Sequence, residues 1–530
     1  MSETVVGEKG MVVAPHAAAA EAGADILRAG GNAIEAMIAT AATIAVVYPH
    51  MNAIGGDGFW LIREPGKAPR YIEACGGAGA KATIAAYHAK GYDRIPVRGP
   101  DAALTVAGAI SGWDLAFELS KSLGGAIDRK TLLADAIARA KAGIKVTRSQ
   151  AALTAQHIEA LSAAPGFSEV FLDAEGKAPA LGAIITQPRL ADTLDQLAHA
   201  GFSDFYRGDV AQVIADDLER IDSPVTRADL AIHEARMRPP LSVRLAEATL
   251  YNAPPPTQGL ASLIILGIFE RLAVKRGDSF EHVHALVEAT KRAFLIRDRV
   301  VTDPDRAGDV LPYLAAAVLE REASAIDMSR AAPWPQPAKK GDTVWLGAID
   351  GNGLAVSYIQ SIFFEFGSGC VLPATGITWQ NRGSSFSLDR RALNPLEPGR
   401  KPFHTLNPAM AHFDDGRIMS YGTMGGEGQP QTQAAVFSRY ARFGMDLAAA
   451  IDAQRWLLGR TWGSEATNLR LENRFDPDLV RALERAGHDV EVIDEAHSDV
   501  MGHAGAIVRR KDGRLFGASD PRSDGAAVPA

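Results

Sequence analysis

Hydrophobic positions change period several times in the first stretch of the chain, and each change marks an element. Residues 11–14 form a short apolar run that reads as a strand, and 16–28 is alanine-rich with a helical period. Gly30-Gly31 closes that helix and Asn32 caps the next, which must stop before Pro49. The run 33–47 is almost wholly apolar, yet it carries Glu35 and is too short to span a membrane, so it reads as a core helix. Gly55-Gly56-Asp57-Gly58-Phe59 then turns the chain into a strand ending near Arg63, with the glycines serving tight backbone geometry.

Helical periodicity dominates the middle, at 110–123, 129–142, 189–199, 209–221, 260–272 and 282–298. A strand at 248–252 interrupts it and is ended by Pro254-Pro255-Pro256, because proline cannot donate to a ladder. Strands return after residue 343. Two β-rich runs flank Asp350-Gly351-Asn352-Gly353, a hairpin signal, and further strands are expected at 417–421, 469–472, 490–493, 506–509 and 515–518. Helices are expected at 445–458 and 477–486. Strands at both ends with a large helical region between them predict an α+β fold of sheets covered by helices.

Composition narrows the function. The 530 residues suffice for a large core, and 47% hydrophobic with 22% charged residues is the balance of a soluble globular protein. Against 63 acidic residues stand 55 basic ones, a net charge of −8 that attracts neither nucleic acid nor an anionic membrane. Only Cys75 and Cys370 are present, so a disulfide framework is excluded, and the first residues lack a basic stretch followed by an apolar one; a cytoplasmic protein is expected. No His-Glu-x-x-His or Cys/His cluster occurs, so no metal site and no cofactor are expected. His282 and His284 read as surface or capping residues on different faces of a helix.

The candidate chemistry sits at Gly341-Asp342-Thr343, after a connector, 331–341, that carries three prolines and two lysines. A threonine hydroxyl is hardly ionised at neutral pH and needs a base within hydrogen-bond reach. If the bond between Asp342 and Thr343 is cut, Thr343 acquires a free α-amine of pKa roughly 7.7–8.0, which can take the proton from its own hydroxyl. Thr343, followed by the hairpin, together with Gly55-Gly56-Asp57-Gly58-Phe59, Pro254-Pro255-Pro256-Thr257-Gln258-Gly259 and Gly422-Thr423-Met424-Gly425-Gly426, resembles the gamma-glutamyltransferase family of N-terminal-nucleophile hydrolases along most of the chain. The resemblance implies an αββα sandwich, self-cleavage between Asp342 and Thr343 into a large subunit (1–342) and a small one (343–530), and possession of the nucleophile by the latter. It further implies oxyanion donors at Gly425 and Gly426 and an orienting hydroxyl at Ser361. Assembly of two such heterodimers is left open.

Departures from the family pattern concern one part of the ligand. Where the resemblance sets an arginine for the glutamyl α-carboxylate, 71–83 has Cys75 and no arginine. An asparagine is replaced by Phe363, a glutamine and an aspartate for the α-amino group by Arg382 and Ser385, and a serine pair by His404 and Thr405. An arginine there repels an ammonium and suits a carboxylate, whose oxygens match its planar fork, and Phe363 makes the pocket smaller. The alternative for Arg382 is a structural pair with a nearby Asp or Glu. The surroundings of Thr343 and Trp379-Gln380-Asn381-Arg382-Gly383 look most like the oxamate amidohydrolase branch, which implies hydrolysis of a small carboxylate-bearing amide to the acid and ammonia. Two other readings stand beside it: a gamma-glutamyltransferase or glutathione hydrolase, and an unprocessed, non-enzymatic binding relative.

Overall fold

Residue Asn32 starts the most apolar helix of the chain. Its side chain accepts the N–H groups of Ile34 and Glu35 while the Glu35 carboxylate accepts the N–H of Asn32 at 2.8 Å, so the one acid in Ala33–Val47 is spent on a capping box. Every residue of this helix is buried. The computed structural model describes residues 3–334, 342–459 and 466–530, Asp342 by its backbone alone. Residues 335–341 of the expected connector thus lie outside the described residues.

Two seven-stranded sheets form the centre. In the first, Asp342–Asp350 and Ala355–Phe363 pair as the expected hairpin, flanked by Gly10–Ala14 on one side and by Asp57–Arg63 and Arg70–Ala74 on the other. The second runs through Leu515–Ser519, Ala504–Arg509, Ile418–Thr423, Ala409–Phe413 and Ala248–Asn252. Met11, Phe59, Trp345 and Ile359 of one sheet meet Met410, Ile418 and Ile507 of the other in a dry layer between them. Gly422 stands where a Cβ would come within 2.2 Å of the Trp345 ring, so the close packing of the sheets there requires glycine.

Helices cover both outer faces, Ala17–Arg28, Ala33–Val47 and Ala109–Ser122 on the first sheet and Gly259–Arg271, Phe280–Val300 and Gly428–Phe437 on the second. This is the α+β, αββα sandwich expected, with amino-terminal strands and strands beyond Thr343 in one sheet. No described helix is long and apolar enough to cross a membrane.

Two expectations are corrected. The helix expected at 445–458 is only Leu447–Asp452, capped by Asp446, and Trp456–Leu458 is a strand paired with Leu469–Glu472. Strand pairing there overrides the helical period. His282 and His284 are not on the surface: both are fully buried, because Phe280–Val300 is packed on several sides. His282 bonds Ser438 at 2.9 Å, and His284 bonds His488 at 2.8 Å.

Candidate active site

Thr343 stands at the beginning of the hairpin's first strand, in an irregularity of register: Asp342 pairs with Phe363 but Val344 with Gln360, so Ser361 and Ile362 of the second strand bulge opposite Thr343. A bulge bends its strand and re-aims the side chains it carries, here Ser361 among them. Thr343 is fully buried, and Gln429 Nε2 donates to its Oγ1 at 3.2 Å. Sequence reasoning missed Gln429. Its position in the helix that follows Gly425-Gly426 was the available signal.

The turn between Ile418–Thr423 and Gly428–Phe437 is made by Gly425 and Gly426, at φ +116° and +53°. Left-handed backbone points successive N–H groups to one side, and neither of these two finds an acceptor among the described residues. The turn is held from behind. Gln258, the glutamine of the Pro-Pro-Pro-Thr-Gln-Gly run, donates to Gly426 O at 2.7 Å and to Thr405 O at 2.8 Å. Arg297 then bonds Gln258 Oε1 at 3.0 Å and Glu427 at 2.7 Å, a buried ion pair. Four segments far apart in sequence are thus tied at one point, and nothing in the sequence reading pointed to Arg297.

Gly56 brings the second hairpin strand close: a Cβ there would lie 2.2 Å from Ser361 O. Ser361 Oγ accepts the N–H of Phe363 at 2.8 Å and faces Arg382 Nη2 at 3.4 Å. Phe363 has φ +83°, a left-handed conformation rare for an aromatic residue and of a kind that costs about 1–3 kcal/mol, concentrated at functional sites. Its ring lies 3.9 Å from the Arg382 guanidinium. It also lines, with Ser385, Val97 and Phe386, a cleft of about 550 Å³. Ser385 itself donates to Phe403 O at 3.2 Å, on the rim.

Arg382 is fully buried at the start of the turn Arg382–Ser385. Its Nη1 reaches Thr405 Oγ1 at 3.3 Å, and among the described residues its Nε has no partner and no carboxylate oxygen lies within 4.0 Å. The structural pairing considered above is not made among those residues. Burial lowers its pKa against the pull of Asp57, yet a guanidinium stays charged at neutral pH. His404 is also fully buried, its ring edge-on to Phe59 at 5.0 Å and its Nε2 3.7 Å from Asp57 Oδ2. Burial, then Arg382 and Lys401, hold it well below the usual histidine range, so it is neutral. Cys75, at the position of the missing family arginine, is buried, and burial pushes its thiol well above the ordinary value. It is not a nucleophile.

One histidine cluster was not anticipated. Ligand atoms of His284, Glu288 and His488 lie within 4.8 Å of one another. Their donors and acceptors are committed, however: His284 Nε2 donates to Asp327 O at 2.9 Å, and Glu288 takes the Lys291 ammonium at 2.7 Å and the Ala332 N–H at 3.1 Å. Lys291 is already the cation beside Glu288.

The gamma-glutamyltranspeptidase family profile matches residues 19–530. Among curated relatives, the oxamate amidohydrolase proenzyme of Klebsiella pneumoniae is 53% identical over 530 residues, covering 100% of both chains. The glutathione hydrolase-like YwrD proenzyme of Bacillus subtilis is 41% identical, again over 100% of both. The solved cephalosporin acylase of Bacillus halodurans superposes with a TM-score of 0.91 at 32% identity, over 100% of this chain and 97% of that one. With the αββα sandwich already described, these matches lead to one conclusion: the chain belongs to the gamma-glutamyltranspeptidase family and is an amidohydrolase of the N-terminal-nucleophile type.

Proposed function

We propose that the protein is a self-processing threonine amidohydrolase acting on a small carboxylate-bearing amide of the oxamate kind. In processing, the Thr343 hydroxyl attacks the carbonyl of Asp342, the acyl group moves from nitrogen to oxygen, and water hydrolyses the ester, leaving a free Thr343 amine. The large subunit, 1–342, and the small one, 343–530, stay together because Asp342–Asp350 and Ala355–Phe363 are paired with Gly10–Ala14 and Asp57–Arg63 of the large subunit.

In turnover the Thr343 amine takes the proton of its own hydroxyl, whose oxygen Gln429 orients, and the oxygen adds to the substrate amide carbonyl. The N–H groups of Gly425 and Gly426, without acceptors among the described residues, receive the developing oxyanion. The amine proton passes to the leaving nitrogen, ammonia departs, and water hydrolyses the acyl ester to the dicarboxylic acid. The observation that carries the substrate reading is Arg382: a buried cation with no carboxylate within 4.0 Å among the described residues is matched by a carboxylate on the substrate. Thr405 and Ser361 hold its Nη atoms, and Phe363, stacked on it, closes the acyl side to a glutamyl-sized chain. A glutamyl α-ammonium would face that guanidinium, which disfavours the glutathione reading. The Klebsiella relative's name, oxamate amidohydrolase proenzyme, supports both the substrate and the processing.

Mass spectrometry of the purified protein tests the processing, with a small fragment beginning at Thr343 expected and Thr343→Ala remaining one chain. Ammonia release from oxamate, glutathione, glutamine and simple neutral amides tests the substrate. Oxamate is expected to lead; preference for glutathione would overturn the reading.

A further inference from the structure

Four polar atoms with no hydrogen-bond partner among the described residues gather beside the nucleophile's pocket: Asp57 Oδ2, Nδ1 and Nε2 of His404, and Nε of Arg382. All three side chains are fully buried. Buried polar groups are nearly always satisfied, so a cluster of open ones is unusual unless a ligand completes it. Asp57 Oδ1, by contrast, is saturated, accepting Gly76 N–H at 3.2 Å, Gly108 N–H at 3.0 Å and Gln380 Nε2 at 3.2 Å. The carboxyl is therefore clamped in one orientation, with Oδ2 left facing His404 at 3.7 Å, a distance too long for a direct bond.

The geometry points to Asp57 and His404 as the second arm of the substrate-acid site, Asp57 holding a proton on Oδ2 whenever the substrate carboxylate is bound to Arg382. The reason is charge. Arg382 alone balances one carboxylate; with Asp57 ionised as well, two anions would share one cation in a dry site, whereas a protonated Asp57 adds no charge and supplies a donor. The other groups that face Asp57 do not alter this count. Burial holds Tyr358, Tyr206 and the Cys75 thiol in their protonated, neutral forms, and His404 is held neutral. Lys401, which acts on His404 and Cys75, is bonded to Glu73. Burial raises the Asp57 carboxyl to about 7, against Arg382, Gln380 and the two amides, so the proton must come from solvent when substrate binds above that pH.

This inference rests on the acid-amide reading above, and oxalate, the dicarboxylate product of oxamate, separates the two. Titrating oxalate into the processed protein by calorimetry at about pH 8.5, in two buffers of different ionisation enthalpy, counts protons taken up on binding. About one more proton is expected in the wild type than in Asp57→Asn, which keeps the Oδ1 acceptor and has nothing to titrate. Equal uptake in the two overturns the proposal even if oxamate is hydrolysed. Uptake that depends on Asp57 without any oxamate hydrolysis leaves the proposal standing and sinks the reaction; no oxalate binding at all overturns the proposal, while the reaction still stands or falls on ammonia release. Should Asp57→Asn fail to fold, His404→Phe keeps the edge contact with Phe59 and removes both nitrogens. Its oxalate affinity is expected to fall about tenfold or more, by the loss of a bond to a charged group, and an unchanged affinity overturns the pair.

Discussion

Replacing Arg382 by lysine keeps a positive charge in the acyl pocket and removes the planar fork. The structure sets the size of the effect. The guanidinium spends little on the protein: its two contacts, to Thr405 at 3.3 Å and Ser361 at 3.4 Å, are long, and Nε is open. Most of its donor capacity is therefore available to a ligand, and what lysine loses is chiefly one charge-assisted hydrogen bond to the substrate, about 1.5–3 kcal/mol, or ten- to a hundredfold in kcat/KM for oxamate. The ring stack with Phe363 is weakened as well. Hydrolysis of a neutral amide should change far less, and processing should survive, since cleavage before Thr343 involves no substrate. The assay is kcat/KM for oxamate and for a neutral amide on processed Arg382→Lys. Equal losses on both substrates would mean that the arginine only supports the fold, and the argument from its lack of an acidic partner would fail.

Three further outcomes follow from the same geometry. Gln429→Leu removes the donor to Thr343 Oγ1, and a neutral hydrogen bond of about 0.5–1.5 kcal/mol predicts a roughly two- to tenfold drop in kcat, with slower processing visible on a denaturing gel; unchanged rates would free Gln429 of any orienting role. Arg297→Met breaks the buried ion pair with Glu427 and the bond to Gln258, and about 3–5 kcal/mol of lost stability is expected in urea unfolding, because breaking a buried pair costs far more than replacing it. Phe363→Ala opens the wall between Arg382 and the adjoining cleft, so the ratio of kcat/KM for a glutaric monoamide over oxamate should rise; a constant ratio would show that Phe363 does not limit acyl length.

Much of this architecture was legible in local sequence. The helices Ala33–Val47 and Arg129–Ala142, the strand Ala248–Asn252 and the hairpin around Gly351 carry their own caps, periods and turn residues, all short-range signals. The miss at Trp456–Leu458 has the opposite cause, since that segment is a strand only because Leu469–Glu472 offers it a partner. Likewise the surface or capping reading of His284 uses one helix alone, whereas its burial depends on elements packed around that helix, among them the segment of His488, 204 residues away.

For the site the division is sharper. By itself the sequence determined the chemical types: a threonine proposed as nucleophile, a glycine pair able to expose N–H groups, and an arginine where the resembled family has an ammonium partner. The chemistry of each follows from what a single residue can do, and its place from the resemblance. Only the tertiary structure decided which of these groups have spare capacity. That Arg382 has no carboxylate oxygen within 4.0 Å among the described residues, that Asp57 is saturated on one oxygen and open there on the other, and that Gln258, Arg297 and Glu427 brace the glycine turn are all matters of long-range approach. Hydrogen bonding and burial are properties of an environment assembled from several segments at once, and no spacing along one chain encodes them.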